Sequence, residues 1–176
     1  MRLFIAVDLP KEIKDYLYDF HKQIKGAKVT WVAKKNLHLT LKFLGEVNES
    51  QIAQIKETMR VPQKKIHATL GTCGFFPSEK SPTVLWVSIE PEDAIVQLQQ
   101  KIDEELLSSF PAEQKFRSHV TIGRIKQVRK KEEFLQSVKE ISVEKIPFTI
   151  NSFQLIKSEL RKSGPIYKTL DNVLLP

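Results

Sequence analysis

The chain has 176 residues, 41% of them hydrophobic and 28% charged, with a formal net charge of +7. That length suits about one domain with a sizeable core, and the apolar share excludes a disordered chain. The only strongly apolar N-terminal run, Leu3 to Val7, is too short for a signal-peptide core or a membrane span, so the cytosol is the expected compartment.

Arg2 to Asp8 alternates in part and predicts a strand. Pro10 suits the first turn of a helix, which Ile13, Leu17, Phe20 and Ile24 continue until Gly26 ends it. Strands are expected near Lys28–Val32 and Leu37–Leu44. Asn48 with Gln51 resembles a capping box, and Ile52, Ile55 and Met59 extend the helix it opens. Ile66 to Phe76 reads as extended, Pro77 to Pro82 as a turn-rich loop, and Val84–Ile89 as a strand. A helix starting near Asp93 follows, marked by Ile95, Leu98, Ile102 and Leu106. Arg117–Ile125 is a strand, Phe134, Val138 and Ile141 mark a short helix, and Ile146–Leu155 and Ile166–Leu170 close the chain as strands. The count is about eight strands and four helices. The loop near 77–82 separates halves of similar content, which predicts two related α+β lobes; beyond their shared motif the halves do not align convincingly.

That shared motif is His38-Leu39-Thr40 and His119-Val120-Thr121, the same His-x-Thr unit 81 positions apart and each time in an alternating apolar run. Residues two apart on a strand point to one face, so each unit presents an imidazole beside a hydroxyl. By the same alternation Lys42 joins His38 and Thr40, while Arg124 falls opposite His119 unless a bulge at Gly123 or a long reach brings it round. Two facing imidazoles suit in-line attack on phosphorus. A neutral one accepts a proton from water and a protonated one gives a proton to the leaving oxygen, which ordinary histidine pKa values allow near neutrality. Thr40 and Thr121 can donate to the non-bridging oxygens, with Lys42 or Arg124 adding charge.

Each feature has a plainer reading beside it. A lone His-x-Thr is usually just an exposed stretch of strand; two copies in matched context argue against that. Zinc ligation by the histidine pair would need a distant third ligand such as Asp8, and there is no His-x-x-x-His, Glu-flanked helix or cysteine pair. Cys73, the single cysteine, is expected to be a small buried residue with no disulfide partner. His21 and His67 are expected outside the site. Trp31, Phe75, Phe76 and Trp86 could stack a base, though strand aromatics more often serve the core. The basic balance favours polyanions, nucleic acid first, against the alternative of scattered solubilising lysines.

Four stretches together resemble the 2H phosphoesterase superfamily, and within it the RNA 2′,3′-cyclic phosphodiesterase branch long called 2′-5′ RNA ligases. They are Arg2 to Pro10, Asn36 to Gly45, Ser118 to Arg124 and Gly164-Pro-Ile-Tyr167. The resemblance runs in order from Arg2 to about Leu170. It implies one bilobal α+β domain over residues 1–176: two related lobes of antiparallel sheet with outer helices, pseudo-twofold, and a basic groove between them. It implies hydrolysis of a terminal 2′,3′-cyclic phosphate to a 2′-phosphomonoester without a metal or other cofactor. His38 maps to the proton donor, His119 to the proton acceptor, and Thr40 and Thr121 to the phosphate-binding hydroxyls. Arg124 matches an arginine near the phosphate, which predicts the bulge, and Tyr167 falls in the C-terminal Gly-Pro-x-Tyr element. The expected partner is RNA ending in a cyclic phosphate, tRNA fragments included, acted on by a monomer away from membranes. Two other outcomes stay open: joining of RNA through a 2′-5′ bond at the same site, and a non-catalytic RNA or nucleotide-binding module.

Overall fold

Nine strands and four α-helices make up the computed structural model, which describes residues 1–176. In chain order they are β1 (Arg2–Asp8), α1 (Lys11–Tyr18), β2 (Ala27–Trp31), β3 (His38–Glu46), α2 (Ile52–Thr58), β4 (Ile66–Phe76), β5 (Val84–Glu90), α3 (Glu92–Leu106), β6 (His119–Val128), α4 (Lys131–Lys139), β7 (Pro147–Ile150), β8 (Ser152–Arg161) and β9 (Gly164–Leu174). All expected elements are present, with local changes. The first helix tightens at Asp19–Lys22 into a 3-10 turn that still buries Phe20. Gly26, with φ of 76°, reverses the chain where an L side chain would be strained. At the second helix the Asn48 N–H donates to Gln51 Oε1 at 3.1 Å, as a capping box requires.

The strands form one antiparallel sheet in the order β7-β4-β5-β6-β3-β1-β8-β9, with β2 alongside β6. The expected strand from Ile146 to Leu155 is two strands serving opposite ends of this sheet. β7 pairs with β4, and after Asn151 the chain crosses over so that β8 pairs with β1 and β9. Nothing in the local alternation marks that break, because the choice of partner strand is tertiary.

The halves align at the offset of the His-x-Thr motifs: β1 matches β5, α1 the start of α3, β3 matches β6, α2 matches α4, and β4 matches β7 with β8. The lobes, however, are not the halves. β4 of the first half pairs with β5 of the second, and β8 of the second pairs with β1 of the first, so the repeats exchange their last strands. β3 and β6 lie at the centre. β9 has no counterpart and extends only the lobe of β1 and β3.

One cluster of 37 buried residues runs through both lobes, from Leu3 and Ile5 on β1 to Phe134 on α4 and Phe153 on β8. Fully burying an aliphatic or phenylalanine side chain contributes about 1.5–3 kcal/mol, so this shared interior, rather than a hinge, is what joins the lobes. A smaller cluster of Phe4, Ala6 and Ile156, with Tyr167 against it, lies on the other face of the β1–β8 region. No helix is long and apolar enough to cross a membrane.

Candidate active site

The two motif strands meet at one bridge, Leu39 with Val120, both fully buried. His38 and Thr40 flank the bridge on β3, and His119 and Thr121 flank it on β6. All four are half-buried and point away from the core. The alternation read from sequence thus brings the two imidazoles and two hydroxyls to one surface, and His119 lies close enough for its charge to act on His38.

Just past each motif the alternation inverts. On β3, Ala6 faces Thr40 and Ile5 faces Lys42, so Leu41 is an additional residue with no partner of its own. On β6, Trp86 faces Thr121 and Leu85 faces Gly123, so Ile122 is the additional residue. These are β-bulges at matching places in the repeat, and each turns the residues after it to the opposite face. Arg124 therefore points outward with His119 and Thr121, through a bulge one residue before the expected Gly123. Its charge reaches Tyr167 on β9.

The bulge on β3 overturns the expectation for Lys42. It is 1% exposed, on the core side, with Nζ donating to Asp103 Oδ1 and to the Pro111 carbonyl. Lys42 therefore does not line the groove. Phe43 takes the outward position instead and is 65% exposed.

Each catalytic candidate is oriented in the same way. The Nδ1–H of His38 donates to the Asn36 carbonyl at 2.6 Å, and that of His119 to the Arg117 carbonyl at 2.7 Å. A carbonyl only accepts, so the proton of each neutral ring sits on Nδ1 and Nε2 keeps its lone pair. At His38 that lone pair accepts from the Thr40 hydroxyl at 2.7 Å. His38 packs on Phe4 at 5.0 Å and edge-on to Tyr167 at 5.5 Å, while His119 stands edge-on to Phe76 at 5.1 Å. Tyr167 and Phe76 are singled out by the sequence, whereas Phe4 is not legible there as a site residue, since nothing distinguishes it from the other apolar residues of β1.

Burial is the main cause that holds both imidazoles below the usual histidine pKa. At His38 the bond to Asn36 and the Asp8 carboxylate oppose it in part, and at His119 the Arg117 charge adds to it. Burial also pushes the Tyr167 hydroxyl up, against the pull of Arg124 and Arg2. It lifts the Cys73 thiol to about 12, which removes it as a nucleophile at neutral pH.

Beyond His119 opens a cavity of about 670 Å³ whose lining includes His67, Thr72, Phe76, Trp86, Ser88 and Arg117. The Trp86 Nε1–H is buried there without an acceptor. On the His38 side a second hollow is edged by Asp8, Lys11, Lys14, Lys34 and Lys35. Asp8, the third ligand a zinc site would need, is bound to Lys14 Nζ at 2.6 Å, and no three histidine, cysteine or carboxylate side chains converge as metal ligands. Trp31 and Phe75 pack against the core, and His21 is held between Tyr18 and Trp31 away from the motifs.

The sequence profile of the LigT-like phosphoesterase family matches residues 7–86 and again 87–167, one match for each copy of the motif. A Thermotoga maritima protein named RNA 2′,3′-cyclic phosphodiesterase is 36% identical, covering 97% of this chain and 93% of its own. One of the same name from Archaeoglobus fulgidus is 35% identical, covering 97% and 98%. The crystal structure of TT0787 from Thermus thermophilus superposes with a TM-score of 0.76 at 28% identity, covering 99% of this chain and 98% of that one. With two profile matches, relatives over its whole length and the same fold, this chain belongs to the LigT-like phosphoesterase family.

Proposed function

We propose that this protein hydrolyses the 2′,3′-cyclic phosphate at the end of an RNA to a 2′-phosphomonoester, using two histidines and no metal. One observation carries the reading: two imidazoles on the central strands, each with Nδ1 committed to a backbone carbonyl, offer Nε2 to a common surface beside two hydroxyls. In the reaction His119 takes a proton from water as the water oxygen bonds to phosphorus. The bond from phosphorus to O3′ breaks, and protonated His38 gives O3′ its proton. Once protonated, His38 Nε2 no longer accepts from Thr40, which frees that hydroxyl to donate to a non-bridging oxygen. Thr121 and Arg124 donate to the same oxygens as charge builds on them.

The names of the relatives support this substrate class. Tyr167 serves as a wall that keeps His38 partly desolvated, and the open cavity at His119 leaves room for the rest of an RNA end, tRNA fragments included. The same reading has the enzyme acting as a monomer in the cytosol. Because a 5′-hydroxyl can replace water beside His119, joining through a 2′-5′ bond is the accompanying transesterification, with the proton passing from the 5′-hydroxyl to His119 and from His38 to O3′. A purely RNA-binding module needs cations and stacking faces, and leaves the matched orientation of the two imidazoles unexplained.

An oligonucleotide ending in a 2′,3′-cyclic phosphate tests the reading directly. The expected product is the 2′-phosphate, formed equally well in EDTA. His38→Ala and His119→Ala should each lower kcat by about 10²–10⁴-fold without loss of fold. RNA binding with no turnover of any cyclic phosphate would leave only the binding module.

A further inference from the structure

A buried ion pair joins the strand of the first histidine to the approach of the second. Lys42, two residues beyond Thr40, reaches through the core side of β3 to Asp103 on α3 and to the Pro111 carbonyl, the latter at 2.8 Å. The other oxygen of Asp103 accepts from Gln99 Nε2 at 2.9 Å and from the Glu113 backbone N–H at 2.8 Å. Burial opposes ionisation of Asp103, but the bonds from Lys42, Glu113 and Gln99 outweigh it and hold the carboxyl below its usual range.

Such a pair adds little net stability, because taking two charges out of water offsets their attraction, and apolar residues of similar volume often serve as well. An apolar pair cannot, however, hold two backbone groups in place. The Pro111 carbonyl and the Glu113 N–H both belong to the segment 107–118, which delivers Arg117 and His119. At its other end Arg117 Nε and the Ser118 N–H donate to Glu92 Oε1, at 3.1 and 3.4 Å, where α3 begins. So α3 grips this segment twice, and the Arg117 carbonyl that orients His119 is part of what it grips. Within the sheet β3 and β6 share only the Leu39–Val120 bridge, so their backbones leave the rest of their register to the contacts around them.

We propose that Lys42 and Asp103 are positioning residues. Their pair is a polar attachment between the motif strands beside the shared core, and it holds the His119 imidazole in register with His38 through α3 and segment 107–118. The inference rests on the proposed function, in which His119 is the proton acceptor. The β6 position matching Lys42 is Gly123, so the device occurs once in the pseudo-symmetric fold.

Three variants test it on a nucleoside 2′,3′-cyclic phosphate. Lys42→Met with Asp103→Leu refills the site with apolar groups and removes both backbone contacts. Its Tm should stay near that of the wild type and its KM should change little. Its kcat should fall about tenfold or more, as small misplacements of reacting groups do, and amide exchange over residues 111–118 should quicken. Met59→Ala, an equally buried change at the C-terminal end of α2, should lower Tm and leave kcat alone. A double variant with faster exchange and wild-type kcat overturns the proposal. If the double variant fails to fold, Asp103→Asn decides, since it keeps an acceptor for Lys42 but cannot satisfy both Gln99 and Glu113. Wild-type kcat there, with the Glu113 amide deprotected, also overturns the proposal. If the wild type turns over no cyclic phosphate, the proposed function fails on its own. The positioning is then read from the ¹⁵N shift of His119 Nδ1, and no change in Asp103→Asn refutes it.

Discussion

Asn36 and Arg117 each stand two residues before a motif histidine and settle which ring nitrogen is available. With Nδ1–H bound to a carbonyl in both cases, Nε2 is left to exchange protons, and the ring cannot flip without breaking a short bond. The pH dependence follows from the direction of both shifts. In the proposed reaction the working form has His38 protonated and His119 neutral, so the rate should fall at high pH as His38 loses its proton and at low pH as His119 gains one. Burial lowers both pKa values from 6.5, which moves both limbs of the kcat/KM profile in the acid direction. A bound phosphodiester anion stabilises each imidazolium, so the kcat profile should lie at higher pH than that of kcat/KM. Rate measurements from pH 4 to 9 check both statements, and a kcat/KM maximum on the alkaline side of neutrality contradicts them.

At the scale of the strand, one extra residue decides which cation faces the motif surface. Leu41 and Ile122 shift β3 and β6 by one position, sending Lys42 inward and Arg124 outward. Arg124→Ala should therefore cost about 10²–10³-fold in kcat, the scale of losing one donor to a developing charge, whereas an exposed lysine such as Lys126 on the same strand should be neutral when changed to Ala. The bulge on β6 depends on its neighbour β2. A Cβ on Gly123 would lie 2.6 Å from Val29 Cγ1 and 3.1 Å from Trp31 Cε3, so Gly123→Ala must shift the Val29 side chain or move β2 from β6. We expect a loss of about 1–3 kcal/mol, measured by urea unfolding, together with lower activity as Arg124 moves. Unchanged stability would show that β2 yields without cost.

Over the whole molecule, the exchange of last strands makes each half dependent on the other. β4 has its neighbour β5 in the second half, and β1 has β8 there too. Fragments 1–80 and 81–176 should each lack cooperative unfolding when made alone, and should recover structure and activity on mixing. Circular dichroism and the cyclic-phosphate assay read both outcomes, and an independently folded half would contradict the exchange. The unmatched strand β9 breaks the symmetry further. It brings Tyr167 against His38 and Phe4, while the corresponding side of His119 stays open as a cavity.

Much of this was legible in the chain itself. The positions of the elements, the facing of His38 with Thr40 and of His119 with Thr121, and the kinship to cyclic phosphodiesterases all rest on local alternation and on short motifs. Such features depend on residues a few positions apart. Lys42 shows where that reasoning stops: strict alternation puts it beside Thr40, yet it lies buried against Asp103, because a bulge is set by the register of the partner strand rather than by the strand's own pattern. The split of Ile146–Leu155 into β7 and β8, and the exchange of strands between repeats, have the same origin. The sequence alone determined the two His-x-Thr pairs and the strands that carry them. Only the tertiary structure decided which cation joins them and which lobe each strand completes, since pairing between strands far apart in the chain depends on backbone contacts that no local pattern encodes.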